Sequence, residues 1–401
     1  MSTITSVSPS THLVGAVLRA TPSPVDSAAR AAVDAVDAEV LAQTRAAYEA
    51  LYEVPQSLSA PVLHALAAVV AAWQGNGPLH RWHASLAGDE PLLEEDEPAD
   101  PGLRALRGHL DLLALSPALS TPEDQQALTA AGQGPDEVVL VSQLVAFESY
   151  LGRLVVALAG LAGLEVPAAP APTRTPPGRG RRKLDSPTTL AGSSRPREFT
   201  QELLAWEPWV AAPDEEELTA AQRASFARKA STNSVYFRLI SRTPAVTLAR
   251  SDLDNAIFRR TEGLPKAERE LAAAVASKVN DCLYCASVHA RKSAGFSRRG
   301  EDVDRLLAVR LPRDADWVAT DLAPLSADEQ LGARWAATVD AAAHRSQVRP
   351  TFGPADVRRM RSVGLEEREV VDLATATAFF AWANRLMLSL GEAACPASST
   401  T

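Results

Sequence analysis

Two short blocks of this sequence recur, in the same order, on either side of a segment rich in Pro, Gly and Ser. At an offset of 206, Ala273-Ala274-Val275 repeats Ala67-Ala68-Val69, and His289-Ala290 repeats His83-Ala84. At an offset of 232, Glu369-Val370-Val371 repeats Glu137-Val138-Val139, Ala378-Phe379 repeats Ala146-Phe147, and Arg385-Leu386 repeats Arg153-Leu154. A single alanine-rich block matches by chance easily. Two in the same order point to an internal duplication, with an insertion between the blocks of the second copy. A chain built this way must fold one kind of unit twice.

The unit is expected to be helical. Alanine is abundant, only 5% of residues are aromatic, and period-2 runs of β-branched residues are scarce. Helical spacing covers 27–51, 60–74, 103–115, 122–131 and 136–162 in the first half. In the second it covers 219–230, 234–239, 250–260, 266–279, 282–294, 301–308, 327–344, 354–361 and 366–391. The fold class expected is therefore all-α, with two tandem helical domains. A chain of 401 residues exceeds what one core usually supports. The boundaries read as a loose tail over 1–25, a helical domain over 26–165, a linker over 166–197, a second helical domain over 198–393 and a short tail over 394–401. The linker carries seven basic residues against one acidic, Asp185, and reads as a solvated connection.

Bulk properties exclude several classes. The net charge of −9 argues against general nucleic-acid binding. No apolar run stands out as a membrane span. The first twenty residues lack a basic stretch followed by a long apolar one, so no secretory signal is expected and the location expected is cytoplasmic. There is no Gly-rich phosphate loop or nucleotide fingerprint.

The chemistry concentrates in Cys282-Leu283-Tyr284-Cys285-Ala286-Ser287-Val288-His289, with Glu270 twelve residues before the first thiol. Two of only three cysteines lie here. On a helix over 281–295, Cys282, Cys285 and His289 share a face, and Asn280 or Asp281 can cap it. A thiolate near a helix N-terminus is favoured. Two thiols, a carboxylate and a histidine suit redox thiol chemistry: one sulfur cleaves a hydroperoxide, the second closes a disulfide, and Glu270 and His289 move the proton. Tyr284 can donate an auxiliary hydrogen bond. Zinc ligation by Cys282, Cys285, His289 and Glu270 is an alternative. Haem attachment fails because Ala286, not histidine, follows Cys285. In the first half Asn76, Leu79 and His64 stand where Cys282, Cys285 and Glu270 stand, and only His83 keeps its place. Cys395 lies in the C-terminal tail and reads as an exposed, incidental thiol.

The pattern Glu-x(11)-Cys-x-x-Cys-x(3)-His, on Glu270, Cys282, Cys285 and His289, resembles the alkylhydroperoxidase D-like (carboxymuconolactone decarboxylase-like) family. The resemblance extends over most of 200–393, with the first half as a degenerate copy. It implies an all-helical, usually oligomeric fold, and so a homo-oligomer or an intramolecular pseudo-dimer. It also implies a thiol peroxidase in which Cys285 attacks the peroxide and Cys282 resolves it. No cofactor beyond the Cys282–Cys285 dithiol is implied, and the electrons would come from an external dithiol protein or a small thiol. The chain departs from the best-known members at Tyr284, where they carry histidine. Two other readings accompany this one: a non-catalytic assembly or binding protein, and a decarboxylase of the type that names the superfamily.

Overall fold

The computed structural model describes residues 9–19, 26–93, 98–170, 185–226 and 229–396. The first half runs α1 (Pro9–Leu18), α2 (Ser27–Asp34), α3 (Ala38–Tyr52), α4 (Ala60–Trp73), α5 (Gly77–Ala87), α6 (Pro101–Leu115), α7 (Pro122–Ala130) and α8 (Pro135–Leu161). The second half opens with β1 (Ala205–Pro208) and short helices α9 (Ala220–Ala224) and α10 (Val235–Ile240). It continues through α11 (Pro244–Phe258), α12 (Lys266–Val279), α13 (Leu283–Ser297), α14 (Gly300–Ala308), α15 (Gly332–Ser346), α16 (Pro354–Ser362), α17 (Glu367–Ser389) and β2 (Gly391–Ala394). Among the described residues the fold is all-α apart from one two-stranded sheet.

Helix ends follow local chemistry. Proline occupies the first turn of α4, α6, α7, α8 and α16, where its missing N–H costs nothing. Asp37, Asp100 and Asn76 cap α3, α6 and α5 through their side-chain oxygens. The elements keep the sequence offsets. α11 and α12 begin and end 206 residues after α3 and α4, and α16 begins and ends 232 residues after α7. The extra residues of the second half hold α14 and the loop behind it.

Expected and observed helices differ in several places: the span 219–230 is helical only over Ala220–Ala224, and the helix expected over 250–260 begins six residues earlier, at Pro244. The span 27–51 is two helices, broken at Ala35–Asp37 where Asp37 starts a new cap. Residues 9–18, inside the expected N-terminal tail, form α1 and bury Leu13, Val14, Val17 and Leu18. Helix α5 is absent from the spans expected from sequence; it follows α4 after a short turn and starts at the Asn76 cap. The C-terminal helix stops at Ser389, and the chain continues as β2, antiparallel to β1 with Trp206 opposite Ala393. Four-residue strands are too short for a period-2 signal. The remainder of the 1–25 tail, most of the linker's basic run (171–184) and residues 397–401 lie outside the described residues.

The halves do not have separate cores. One buried apolar cluster runs from Leu13 to Leu390 through both, and a second lies within the later half. Helices α8 and α17 form the seam. Trp382 packs edge-on against Phe147 at 5.2 Å and donates from Nε1 to Gln143 Oε1 at 2.9 Å. Two buried arginines, 232 residues apart, make reciprocal contacts. Arg153 donates to the Gln347 carbonyl at 2.6 Å, just past α15, and Arg385 donates to the Leu113 and Ala114 carbonyls at 3.1 Å in the last turn of α6. Each satisfies carbonyls that a helix end leaves without partners. Helix α8 is long and apolar enough to cross a membrane, contrary to the sequence expectation, but 94% of its most apolar window is buried inside the protein. That burial is the condition of a core helix.

Candidate active site

Helices α12 and α13 form a hairpin, and its turn carries the thiol pair. The last turn of α12 ends at Asn280, and Asp281 takes a left-handed conformation with φ of 61°. Neither residue caps α13. Cys282 itself occupies the N-cap position, with its backbone extended. The Asp281 side chain instead accepts a hydrogen bond from Trp317 Nε1 at 2.7 Å, which fixes the turn from the loop behind α14. Cys282 therefore lies at the helix entrance, Cys285 in its first turn and His289 one turn further on.

Glu270, on α12, meets His289 across the hairpin. His289 Nδ1 donates to Glu270 Oε2 at 2.5 Å, and Lys292 Nζ lies 3.6 Å from the other carboxylate oxygen. Both partners are largely buried. Phe380 meets the imidazole edge-on at 4.4 Å, and Phe258 lies 5.9 Å away. This apolar wall leaves Glu270 as the polar anchor of the ring and assigns Nδ1 as the protonated nitrogen, so that Nε2 is the basic one.

Cys282 and Cys285 are both free thiols and almost fully buried, at 2% and 6% exposure. Their sulfurs are not at disulfide distance. They do interact: a hydrogen bond to Cys282, then burial, then the charge on Cys282 push the Cys285 thiol well above its ordinary range. Asn384 and Arg250 pull it the other way. Asn384 is held in place by two further contacts, accepting from Asn280 and donating to Ser277 Oγ, each at 3.0 Å. A cleft reaches Cys282 between Trp206, Tyr284, Met387 and the Arg195–Glu392 ion pair. Tyr284, raised in pKa by burial and then by the two sulfurs, lines that cleft.

The structure thus joins Glu270 to His289 and Cys282 to Cys285, and puts Tyr284 at the mouth. It adds Asn384, Arg250 and Tyr236, which the sequence reading passed over because they arrive from α17, α11 and α10 with no local motif. Among the described residues no group of three or more His, Cys, Asp or Glu is placed to hold a metal ion. The zinc alternative therefore has no geometric support. His83 of the first half is not a lone histidine: it contacts His64 and Glu148.

Comparison with known proteins bears on the second half. No curated protein matches the chain. A crystal structure of an alkylhydroperoxidase AhpD core, an uncharacterized peroxidase-related protein from Ralstonia eutropha JMP134, aligns at 21% identity. That alignment covers 45% of this chain and 88% of the other, with a TM-score of 0.35. Residues 244–324 match the carboxymuconolactone decarboxylase family, a segment that holds α11, the α12–α13 hairpin and α14. That segment, about a fifth of the chain, contains Glu270, Cys282, Cys285 and His289, so the likeness to the carboxymuconolactone decarboxylase family falls on the thiol hairpin.

Proposed function

We propose that this protein is a thiol-dependent peroxidase that reduces hydroperoxides through Cys282 and Cys285, with Glu270 and His289 as the proton relay and an antioxidant role. The observation that carries the reading is the Glu270–His289 hydrogen bond, set one helical turn from Cys285. An oriented imidazole on the same helix as the dithiol, one turn along, is equipment suited to thiol attack on an O–O bond.

In this reading one thiol loses its proton to His289, whose charge Glu270 balances. The thiolate attacks the terminal peroxide oxygen, the O–O bond breaks, and a sulfenic acid and an alcohol result. The second thiol then condenses with the sulfenic acid, releasing water and closing the disulfide. The sulfurs must approach for that step. An external dithiol protein or small thiol restores the pair, and no further cofactor is needed. The two halves are copies of one helical unit, the first without thiols. It works in the cytoplasm, as a homo-oligomer or with the halves as an intramolecular pseudo-dimer.

The family resemblance gives the attack to Cys285. One observation favours Cys282: it lines the cleft and occupies the helix N-cap, while Cys285 is pushed up in pKa by its neighbour and by burial.

The test is steady-state hydroperoxide consumption with a panel of dithiol donors, together with a count of free thiols before and after peroxide. The expected result is turnover with reversible loss of two thiols and retention of Cys395. An unchanged thiol count would sink the reading.

A further inference from the structure

Beside the thiol pair, two buried donors lack an acceptor among the described residues: the Tyr236 hydroxyl and Arg250 Nε. Tyr236 is 8% exposed and Arg250 5%. Buried donors are ordinarily satisfied, because an unsatisfied one destabilises the fold. Two of them at one place call for an explanation.

Their surroundings supply it. The Arg250 guanidinium lies over Phe379 at 5.1 Å and over Tyr236 at 5.7 Å, so aromatic faces fix its plane. Tyr236 meets Trp206 edge-on at 5.5 Å, and Trp206 lines the cleft that reaches Cys282. Both thiols influence the Tyr236 hydroxyl, which burial pushes up to about 12. Arg250 in turn lowers the pKa of Cys285. The other groups that face this spot are Asp254 from α11, Tyr284 from α13 and Asn384 from α17. A rigid cation and a hydroxyl that stays protonated are thus held ready for negative charge.

We propose that Arg250 and Tyr236 are the anion-holding pair of this site, stabilising the thiolate before attack and the oxygen released from a hydroperoxide after it. The assignment rests on the peroxidase reading above. Attack forms an S–O bond and breaks the O–O bond, oxidising sulfur to the sulfenic acid and releasing an alkoxide. Arg250 and Tyr236 donate to that oxygen until the proton first taken by His289 returns to it. Donors already aimed at the developing charge need no reorganisation during the reaction.

The test follows the thiolate directly, by its ultraviolet absorbance against pH and by the rate of iodoacetamide alkylation, in Arg250→Gln, Arg250→Lys and Tyr236→Phe. Far-ultraviolet circular dichroism checks the fold of each. Arg250→Gln is expected to move the thiolate transition to higher pH and to slow alkylation at neutral pH about tenfold. Arg250→Lys should recover part of that loss, and Tyr236→Phe should shift the transition the same way by less. Should Arg250→Gln not fold, the other two variants decide. An unchanged transition in Arg250→Gln, or, where that variant does not fold, in Tyr236→Phe, overturns the proposal. If the variants shift the thiolate but the parent consumes no hydroperoxide, the anion-holding pair stands and the peroxidase reading falls.

Discussion

His64 Nδ1 lies 2.9 Å from His83 Nδ1, in the positions that Glu270 and His289 occupy 206 residues later. Only one of two facing nitrogens can carry the hydrogen between them. The carboxylate of this half comes from another helix: Glu148, on α8, lies 3.1 Å from His83 Nε2 and accepts from Tyr52 at 2.6 Å. Phe380 and Phe258 stand at the corresponding places in the second half. The first half therefore keeps a buried polar network where the second keeps a wall of phenylalanine. In place of the thiols, Asn76 caps α5 and donates to the Gly152 carbonyl at 3.1 Å.

Two buried histidines of this half, His64 in that network and His109 outside it, should make the fold acid-sensitive. Burial, then His83, then Arg19 lower His64 to about 3. Burial lowers His109, whose ring nitrogens have no hydrogen-bond partner among the described residues, to about 4. An unfolded histidine takes its proton near 6.5, so between about 6.5 and 3 the unfolded chain binds more protons than the folded one. Stability from these groups is fully present above that window and is lost progressively as pH falls through it. Urea unfolding midpoints measured from pH 7 to pH 4 should decline, and His109→Leu should flatten the decline. A midpoint independent of pH across this range would contradict the assignment.

Much of this was legible in the sequence, for physical reasons that vary by residue. The α12 boundaries follow from Pro265 and an apolar period that runs unbroken to Val279, and the structure reproduces them. Glu270 and His289 were legible as partners because a helical hairpin brings side chains from both arms to one face. Cys282 was misplaced by one position: Asp281 is a good cap by composition, yet its side chain is drawn away by Trp317. No local rule anticipates a partner 36 residues on in an irregular loop. Arg250, Tyr236 and Asn384 each sit in ordinary helical sequence, and only packing of three helices brings them to the thiols. The polar network of the first half was hidden for the same reason, since Glu148 lies in the middle of an apolar helix.

The Glu270–His289 pair yields a directional expectation. Glu270→Gln keeps the shape of the contact but removes the charge that balances a protonated imidazole. His289→Ala removes the base. Hydroperoxide consumption at neutral pH should fall about 10²-fold in His289→Ala and by a smaller factor in Glu270→Gln. Both losses should shrink at high pH, where thiols ionise unaided. Stopped-flow consumption curves across pH check this, and a loss that stays constant with pH would argue for a structural role alone.

Arg385 tests how far the halves depend on each other. It is buried, its pKa is lowered by burial and then by Arg153, and it satisfies Leu113 and Ala114 carbonyls of the opposite half. Arg385→Ala takes the donor from the Leu113 carbonyl, leaves the Ala114 carbonyl with only the longer Gln74 contact at 3.4 Å, and opens a cavity, which should cost about 2–5 kcal/mol. Because the core is shared, both halves should lose stability in one transition. Thermal unfolding followed at once by tryptophan fluorescence and circular dichroism reads this. Two separated transitions, with only one displaced, would show that the halves unfold independently.

The last expectation concerns which sulfur attacks. If Cys285 is the nucleophile, Cys285→Ser abolishes peroxide consumption, while Cys282→Ser permits one turnover that stops at a sulfenic acid trapped on Cys285. If the N-cap sulfur is the nucleophile, the two variants exchange behaviour. The structure sharpens the experiment, because each substitution also removes the neighbour that sets the other thiol's acidity. In Cys282→Ser the main cause of the raised Cys285 pKa is gone, leaving Asn384 and Arg250 to draw it down against burial. The remaining thiol in Cys282→Ser should therefore ionise at lower pH than Cys285 does in the intact pair. Sulfenic-acid trapping in both variants, read beside the pH dependence of alkylation, separates a change of nucleophile from a change of acidity. A Cys282→Ser protein that alkylates readily at neutral pH yet never forms a sulfenic acid would assign the attack to Cys282, and unchanged consumption in both variants would remove the thiols from the mechanism.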